Sequence, residues 1–221
     1  MKNIEQIIEK LEQEIKEMFS SESGGHDIYH LRRTLNLALH LQKKEGGNKM
    51  IISIGAFLHD IHRIIQNETD KFCSPKDSLP RVKEILDKID LSEDEKKKIL
   101  HCIEFHEEYS FSENGKSVKD IETLIIQDAD NLDAIGAIGI ARAFMYGGAN
   151  NVPMWLPDIP FEREYFEEGI ADVSEIHHFY SKLLKLKDNM NTETAKELAR
   201  KRNNYLKDFL KEFFNEWEGK S

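Results

Sequence analysis

Cysteine is scarce in this 221-residue chain: Cys73 and Cys102 stand alone, with neither a pairing pattern nor zinc-type spacing. That excludes a disulfide scaffold and reads as reduced, intracellular thiols. No segment approaches the roughly 20 consecutive apolar residues that cross a bilayer. The opening MKNIEQIIEKLEQEIKEMF is charged throughout, unlike the apolar core of a signal peptide. A cytoplasmic location is therefore expected, with no membrane partner. Positive charge is also in deficit, 31 Lys and Arg against 41 Asp and Glu, for a net charge of -10. A nucleic-acid polymer needs a basic surface and is not an expected partner. A free nucleotide stays open, because its few phosphates need only a local positive patch and a metal. Alternating strand patterns, internal repeats, low-complexity runs and linkers are all missing.

What is present is helical period. The length suffices for one well-filled domain, and 33% charged residues fit heavily solvated helix surfaces. Ile4, Ile7, Ile8, Leu11, Ile15 and Met18 form one apolar stripe. Leu31, Leu35, Ala38, Leu39 and Leu41 form a second, stopped by Gly46 and Gly47. A third helix is expected from about 50 to 65. After a loop with Ser74, Pro75 and Pro80 come helices near 81–88 and 93–107, the latter opened by a Ser92/Glu95 capping box. The polar stretch SENGKS precedes a long apolar segment, 118–146. The sequence GGANNVPMWLPDIP reads as a loop or lid. Helices near 174–187 and 192–217 follow, the last with Asn191 as N-cap. The expectation is an all-α, single-domain helical bundle over 1–221, with a core at about 25–145 and C-terminal helices from about 160 to 218 packed on it.

Within IISIGAFLHDIHRII, His59 and Asp60 stand side by side in an apolar helix. Burying such a doublet costs several kcal/mol unless it is compensated. A divalent cation compensates it well, since imidazole nitrogen and carboxylate oxygen are both good ligands. Adjacent helical residues project about 100° apart and can grip one ion from two sides. The plainer alternative is an Asp60–Arg63 ion pair with His59 packed nearby. His30, in GGHDIYHLRRTLNLALHL, taken alone would be a satisfied core histidine. His26, a surface histidine by itself, is four residues before His30, and Arg33 is three after it, so the three share a face if the stretch is helical. In LIIQDADNLDAIGAIGIARAF, Asp130 and Asp133 share a face, whereas Asp128 points elsewhere and suits an acidic first turn facing the helix dipole. Small residues Ala134, Gly136, Ala137 and Gly139 allow a close helix neighbour.

His30, His59, Asp60 and Asp130 make a two-His, two-Asp set. Such mixed ligation suits Mn²⁺ first, with Fe²⁺, Co²⁺, Ni²⁺ and Zn²⁺ also acceptable and Mg²⁺ less so. Four protein ligands on an octahedral ion leave two positions for water and a substrate oxygen. His30, then HD at 59–60, then Asp130, all on helices, resembles the HD superfamily of metal-dependent phosphohydrolases. HDIYHLRR, FLHD, QDADNLDAIGAIGIARAF and HHFYSKLLKLKDNMNTETAKELA are similar to a branch of small bacterial HD proteins that includes nucleoside-triphosphate pyrophosphohydrolases. The likeness runs from about residue 25 to 217 and implies an HD-type helical bundle with those four residues on the metal. One departure stands out: His62 lies where many relatives have Gly or an acid. The Glu-Asp continuation of guanosine-tetraphosphate hydrolases is absent.

Further roles follow as expectations. Asp133 orients or deprotonates a water, and His62 assists proton transfer or phosphate binding. His26 and His106 contact substrate, while Arg33, Arg63 and Lys185 neutralise phosphate charge. His101 and His106, five apart, do not share a helical face, so one ion rather than two is expected. The reaction expected from the resemblance is hydrolysis of nucleoside or deoxynucleoside triphosphates to monophosphate and pyrophosphate. The alternatives are a nucleoside-monophosphate phosphatase, a cyclic-nucleotide phosphodiesterase, or a non-catalytic nucleotide-binding module. Apolar residues between 154 and 160 allow a homodimer as well as a monomer.

Overall fold

A computed structural model describes residues 3–20, 22, 24–111, 118–161 and 172–220. The SENGKS stretch and residues 162–171, at the start of the C-terminal extension, lie outside them. Among the described residues the architecture is all-α, without a strand. The helices are α1 (Ile4–Ile15), α2 (Ile28–Glu45), α3 (Lys49–Leu58), α4 (Ile61–Thr69), α5 (Leu79–Leu86), α6 (Glu93–Glu104), α7 (Ile121–Asp133), α8 (Gly136–Asn150), α9 (Glu175–His178), α10 (Leu186–Asn189) and α11 (Glu193–Trp217). A single 3₁₀ turn (Pro75–Ser78) precedes α5, and a π turn (Phe179–Leu183) follows α9.

The centre of the bundle is α3, buried at every position from Ile51 to Leu58. A helix apolar on all sides must be surrounded, and α2, α6 and α7 surround it. Gly55 sets the closest approach: a Cβ there would lie 2.6 Å from Ile126 Cδ1 on α7. The Ser92/Glu95 capping box opens α6 as expected. α11 runs along α8 and also touches α2 and α7. Phe144, Phe179 and Phe209 knit this side together, with ring centroids 5.8 to 6.0 Å apart. Such spacing suits aromatic packing in a core.

Three long helices expected from periodicity are each broken. The 50–65 helix breaks at the His-Asp doublet, where Asp60 adopts φ -92°, ψ 13°, the bridge region in which active-site residues often sit. The 118–146 helix breaks between α7 and α8, where Ile135 is extended and Gly136 takes φ +81° against the Arg202 side chain of α11. A side chain at that φ would be strained. The 174–187 helix is split by the π turn, in which Leu184 N donates to Phe179 O. Periodicity continues across all three breaks because burial does, so it could not register them.

Two capping expectations also change. Thr192, not Asn191, caps α11 through its side chain. Asp128 is buried in the middle of α7 and accepts from Asn191 N at 2.7 Å, Thr192 N at 2.8 Å and Thr192 Oγ1 at 2.7 Å. Its charge therefore meets the dipole of α11 instead of that of its own helix. The presumed lid is anchored: α8 extends to Asn150, and Pro153 O and Met154 O accept from Glu175 N and Ile176 N. No helix of the described residues is long and apolar enough to cross a membrane.

Candidate metal centre

Helices α2, α3 and α7 meet at one point and bring four distant residues together. His30 stands in the first turn of α2, His59 and Asp60 at the α3–α4 break, and Asp130 one turn before the end of α7. His30 Nε2 lies 3.2 Å from His59 Nε2, 3.1 Å from Asp60 Oδ2 and 3.4 Å from Asp130 Oδ1. His59 Nε2 lies 3.5 Å from Asp60 Oδ1 and 3.7 Å from Asp130 Oδ1. Ligands about 2.1 Å from one ion stand about 3.0 to 3.5 Å apart, which all these spacings match except the slightly longer 3.7 Å between His59 and Asp130. The bland Asp60–Arg63 pair does not form; Arg63 bonds Glu107 instead.

Hydrogen bonds on the far side of each ring decide what faces inward. His30 Nδ1 is 2.7 Å from Asp133 Oδ2, and His59 Nδ1 is 2.9 Å from Ala56 O. Both partners accept, so each Nδ1 carries a proton and each Nε2 turns a lone pair toward the other. Two buried lone pairs 3.2 Å apart repel unless something positive lies between them. In the metal-free protein a proton does this. Burial opposes charge on His59, but Asp60 and then Asp130 outweigh it and lift its pKa to about 9. Burial would likewise raise Asp130; its hydrogen bond to His59 and the charges of His59 and His30 hold it below the carboxylate range. Asp60 is held well below that range by His59 and His26 against the same opposition. A divalent cation provides this positive charge without protons, so the donor set fits a metal.

The remaining expected residues divide. His26 sits just outside α2, because Asp27 is the N-cap, yet its Nδ1 reaches Asp60 Oδ2 at 2.7 Å. Asp133 is not a free base. It accepts from His30 and, at 2.8, 3.0 and 3.1 Å, from Arg33 Nε, Arg33 Nη2 and Arg142 Nη1. Burial would raise it, but those bonds keep it below the usual carboxylate range. It is a positioning residue for His30. Arg33 is thereby committed to Asp133 and does not line the cavity. His62 and His106 are buried behind the centre rather than on the cavity wall. Burial pushes His106 down to about 4. The break at Asp60 aims α4, and with it His62, at the turn after α6.

Beside the centre lies a cavity of about 340 Å³, whose wall includes His26, Arg63, Asp130, Arg142, Tyr146 and Lys182. Asp130 reaches it with 15% of its side chain exposed. Lys185 does not line it: it follows the π turn as the residue before α10. Lys182 takes that place, its Nζ 4.7 Å from the Tyr109 ring centroid. Glu175, His178 and Lys182 share one face of α9 and the π turn and all border the cavity. Burial, with Asp172 nearby, pushes Glu175 up to about 7. Sequence reasoning preferred Lys185 to Lys182 and Arg142, since cations on an amphipathic helix all look like solvated surface.

The family model described as HD domain matches residues 27–135. The uncharacterized protein YpgQ of Bacillus subtilis (strain 168) is 34% identical over 96% of this chain and 94% of its own length. The crystal structure of an HD-superfamily hydrolase from Bacillus thuringiensis superimposes with a TM-score of 0.70 at 36% identity, covering 98% of this chain and 99% of that one. YpgQ in complex with ADP superimposes with a TM-score of 0.72, with 26% identity over 96% of each chain. The chain belongs to the HD-domain superfamily of hydrolases.

Proposed function

We propose that this protein is a metal-dependent phosphohydrolase that cleaves nucleoside and deoxynucleoside triphosphates to the monophosphate and pyrophosphate. The observation that carries this reading is the convergence of His30, His59, Asp60 and Asp130 at a cavity wall that also bears Arg63, Arg142 and Lys182. Held by those four residues, a divalent ion, Mn²⁺ by preference, would supply Lewis acidity to a phosphoryl oxygen and acidify a water.

The chain's own groups supply the rest. Asp133 fixes the tautomer and orientation of His30, and Ala56 O does the same for His59. His26 donates to Asp60, keeping its carboxylate turned inward. Arg63, Arg142 and Lys182 supply cations for phosphate on a cavity wall that also carries Glu107, Asp130, Asp172 and Glu175. Phe72, Tyr109 and Tyr146 offer flat apolar surface to a base or sugar. The ADP bound to YpgQ supports a nucleotide carrying more than one phosphate. The likeness of QDADNLDAIGAIGIARAF to the pyrophosphohydrolase branch supports pyrophosphate as the leaving product.

The test is full-length protein stripped of metal, reloaded with Mn²⁺ and given a panel of nucleotides, with products followed by ³¹P NMR. Pyrophosphate and monophosphate are the expected products. Orthophosphate alone, faster turnover of monophosphates or cyclic nucleotides, or no turnover of any member would overturn the proposal.

A further inference from the structure

Two buried imidazole nitrogens behind the centre have no hydrogen-bond partner among the described residues: His62 Nε2 and His106 Nε2. His62 comes from α4, and His106 from the turn after α6. In each ring the other nitrogen meets a backbone carbonyl, His59 O at 3.2 Å for His62 and Ile103 O at 2.7 Å for His106. A carbonyl only accepts, so both Nδ1 atoms carry the proton and both Nε2 atoms present lone pairs. A carboxylate oxygen of Glu107 completes the group, and the three ligand atoms lie within 4.8 Å of one another. Glu107 Oε2 is 3.5 Å from His62 Nε2, while its other oxygen bonds Arg63. This arrangement repeats the logic of the first centre: imidazoles oriented by an acceptor on their far nitrogen, and a carboxylate anchored from behind.

Two lone pairs and a carboxylate repel an anion and attract a cation. We propose that His62, His106 and Glu107 form a second divalent-metal site beside the first. Its two-nitrogen, one-oxygen donor set favours Zn²⁺, Mn²⁺, Fe²⁺, Co²⁺ or Ni²⁺ over Mg²⁺ and Ca²⁺. The two sites adjoin, since the His59 and His106 ring centroids are 5.0 Å apart. Ligand atoms of His59, Asp60 and His106 also fall within 4.8 Å of one another. Glu107 and Arg63 both border the cavity, so a second ion would add positive charge beside its wall. The sequence signal for a second ion, sought between His101 and His106, fails because His101 is exposed and bonds Asp120 at 3.0 Å. The pairing that the fold creates is His106 with His62.

The site can be counted without knowing the substrate, so its failure is separable from failure of the phosphohydrolase reading. Full-length protein is stripped with a chelator and titrated with Mn²⁺ and, separately, Zn²⁺, with bound metal measured by mass spectrometry per chain. Two ions are expected for the wild type, and one each for His62→Ala, His106→Ala and Asp130→Ala. Combining His62→Ala with Asp130→Ala should leave none. Glu107→Gln, which keeps the shape of the side chain, should weaken the second ion at least tenfold and leave the first. A single ion at saturation in the wild type overturns the proposal, whether or not any variant folds. So does a second ion retained in both histidine variants. Either result would mean that a buried water donates to the two nitrogens instead.

Discussion

The seam where α2, α3 and α7 meet and the seam where α8, the π turn and α11 meet are both buried, but they are built on opposite principles. The first places two imidazoles and two carboxylates in contact, with His30, His59 and Asp60 locked from behind by Asp133, Ala56 O and His26. The second is a cluster of phenylalanine rings, Phe144, Phe179 and Phe209, held by area and shape. The polar seam needs a proton or a metal ion between its imidazoles, whereas the aromatic seam is complete without any ligand. On the proposed reading, function is concentrated where packing alone is least favourable.

The sharpest way to break that contrast is Asp60→Ala. It should lower turnover by about 10³-fold or more, since several kcal/mol of metal-derived stabilisation is lost. The metal-induced rise in Tm should vanish with it, read by circular dichroism with and without Mn²⁺. Phe179→Ala should do the reverse. It costs about 3–5 kcal/mol of folding stability, measured by urea unfolding, while the folded fraction keeps its metal. If Phe179→Ala sheds metal at unchanged stability, the two seams are not separable.

Smaller effects refine the polar seam. Asp133→Asn should weaken metal binding by about 10- to 100-fold, because it loosens His30 without removing a ligand; titration calorimetry reads this directly. Metal affinity should also rise about tenfold per pH unit up to about pH 9, because the cation displaces the proton that His59 carries below that value. The linked stability of the chelated protein has a definite sign. The His59 pKa is raised on folding from about 6.5, so its contribution is full below about pH 6.5 and is lost as pH climbs through about 9. A Tm profile of the metal-free protein checks this. Least in size, Lys182→Ala should raise KM for a nucleoside triphosphate by roughly tenfold, since it removes a charge from the cavity wall. Lys185→Ala should change it less than about twofold, and steady-state kinetics on the pair decides between them.

Legibility in the sequence followed one rule: groups whose partners are local or whose burial is costly could be read. The Ser92/Glu95 box is entirely local, and the His59-Asp60 doublet is conspicuous because apolar neighbours on both sides make it expensive to bury. His30 and Asp130 could be added because each is polar where its helix faces inward. Asp133 and Arg33 were misread for the converse reason. Their roles depend on each other across 100 residues of chain, and no periodicity reports such a partner. Lys182 and Lys185 are indistinguishable in KLLKLK, and only the π turn sends one to the cavity and the other past it.

Taken alone, the amino-acid order determined that the chain is helical and which polar groups it must bury, because both follow from the period and composition of local segments. Tertiary structure decided which of those buried groups face one another, which arginines are spent on carboxylates, and that His62 meets His106. The physical reason is that such pairings arise where helices break and cross. The angles of a break at Asp60 or Gly136 are set by the whole packed bundle rather than by the residues on either side.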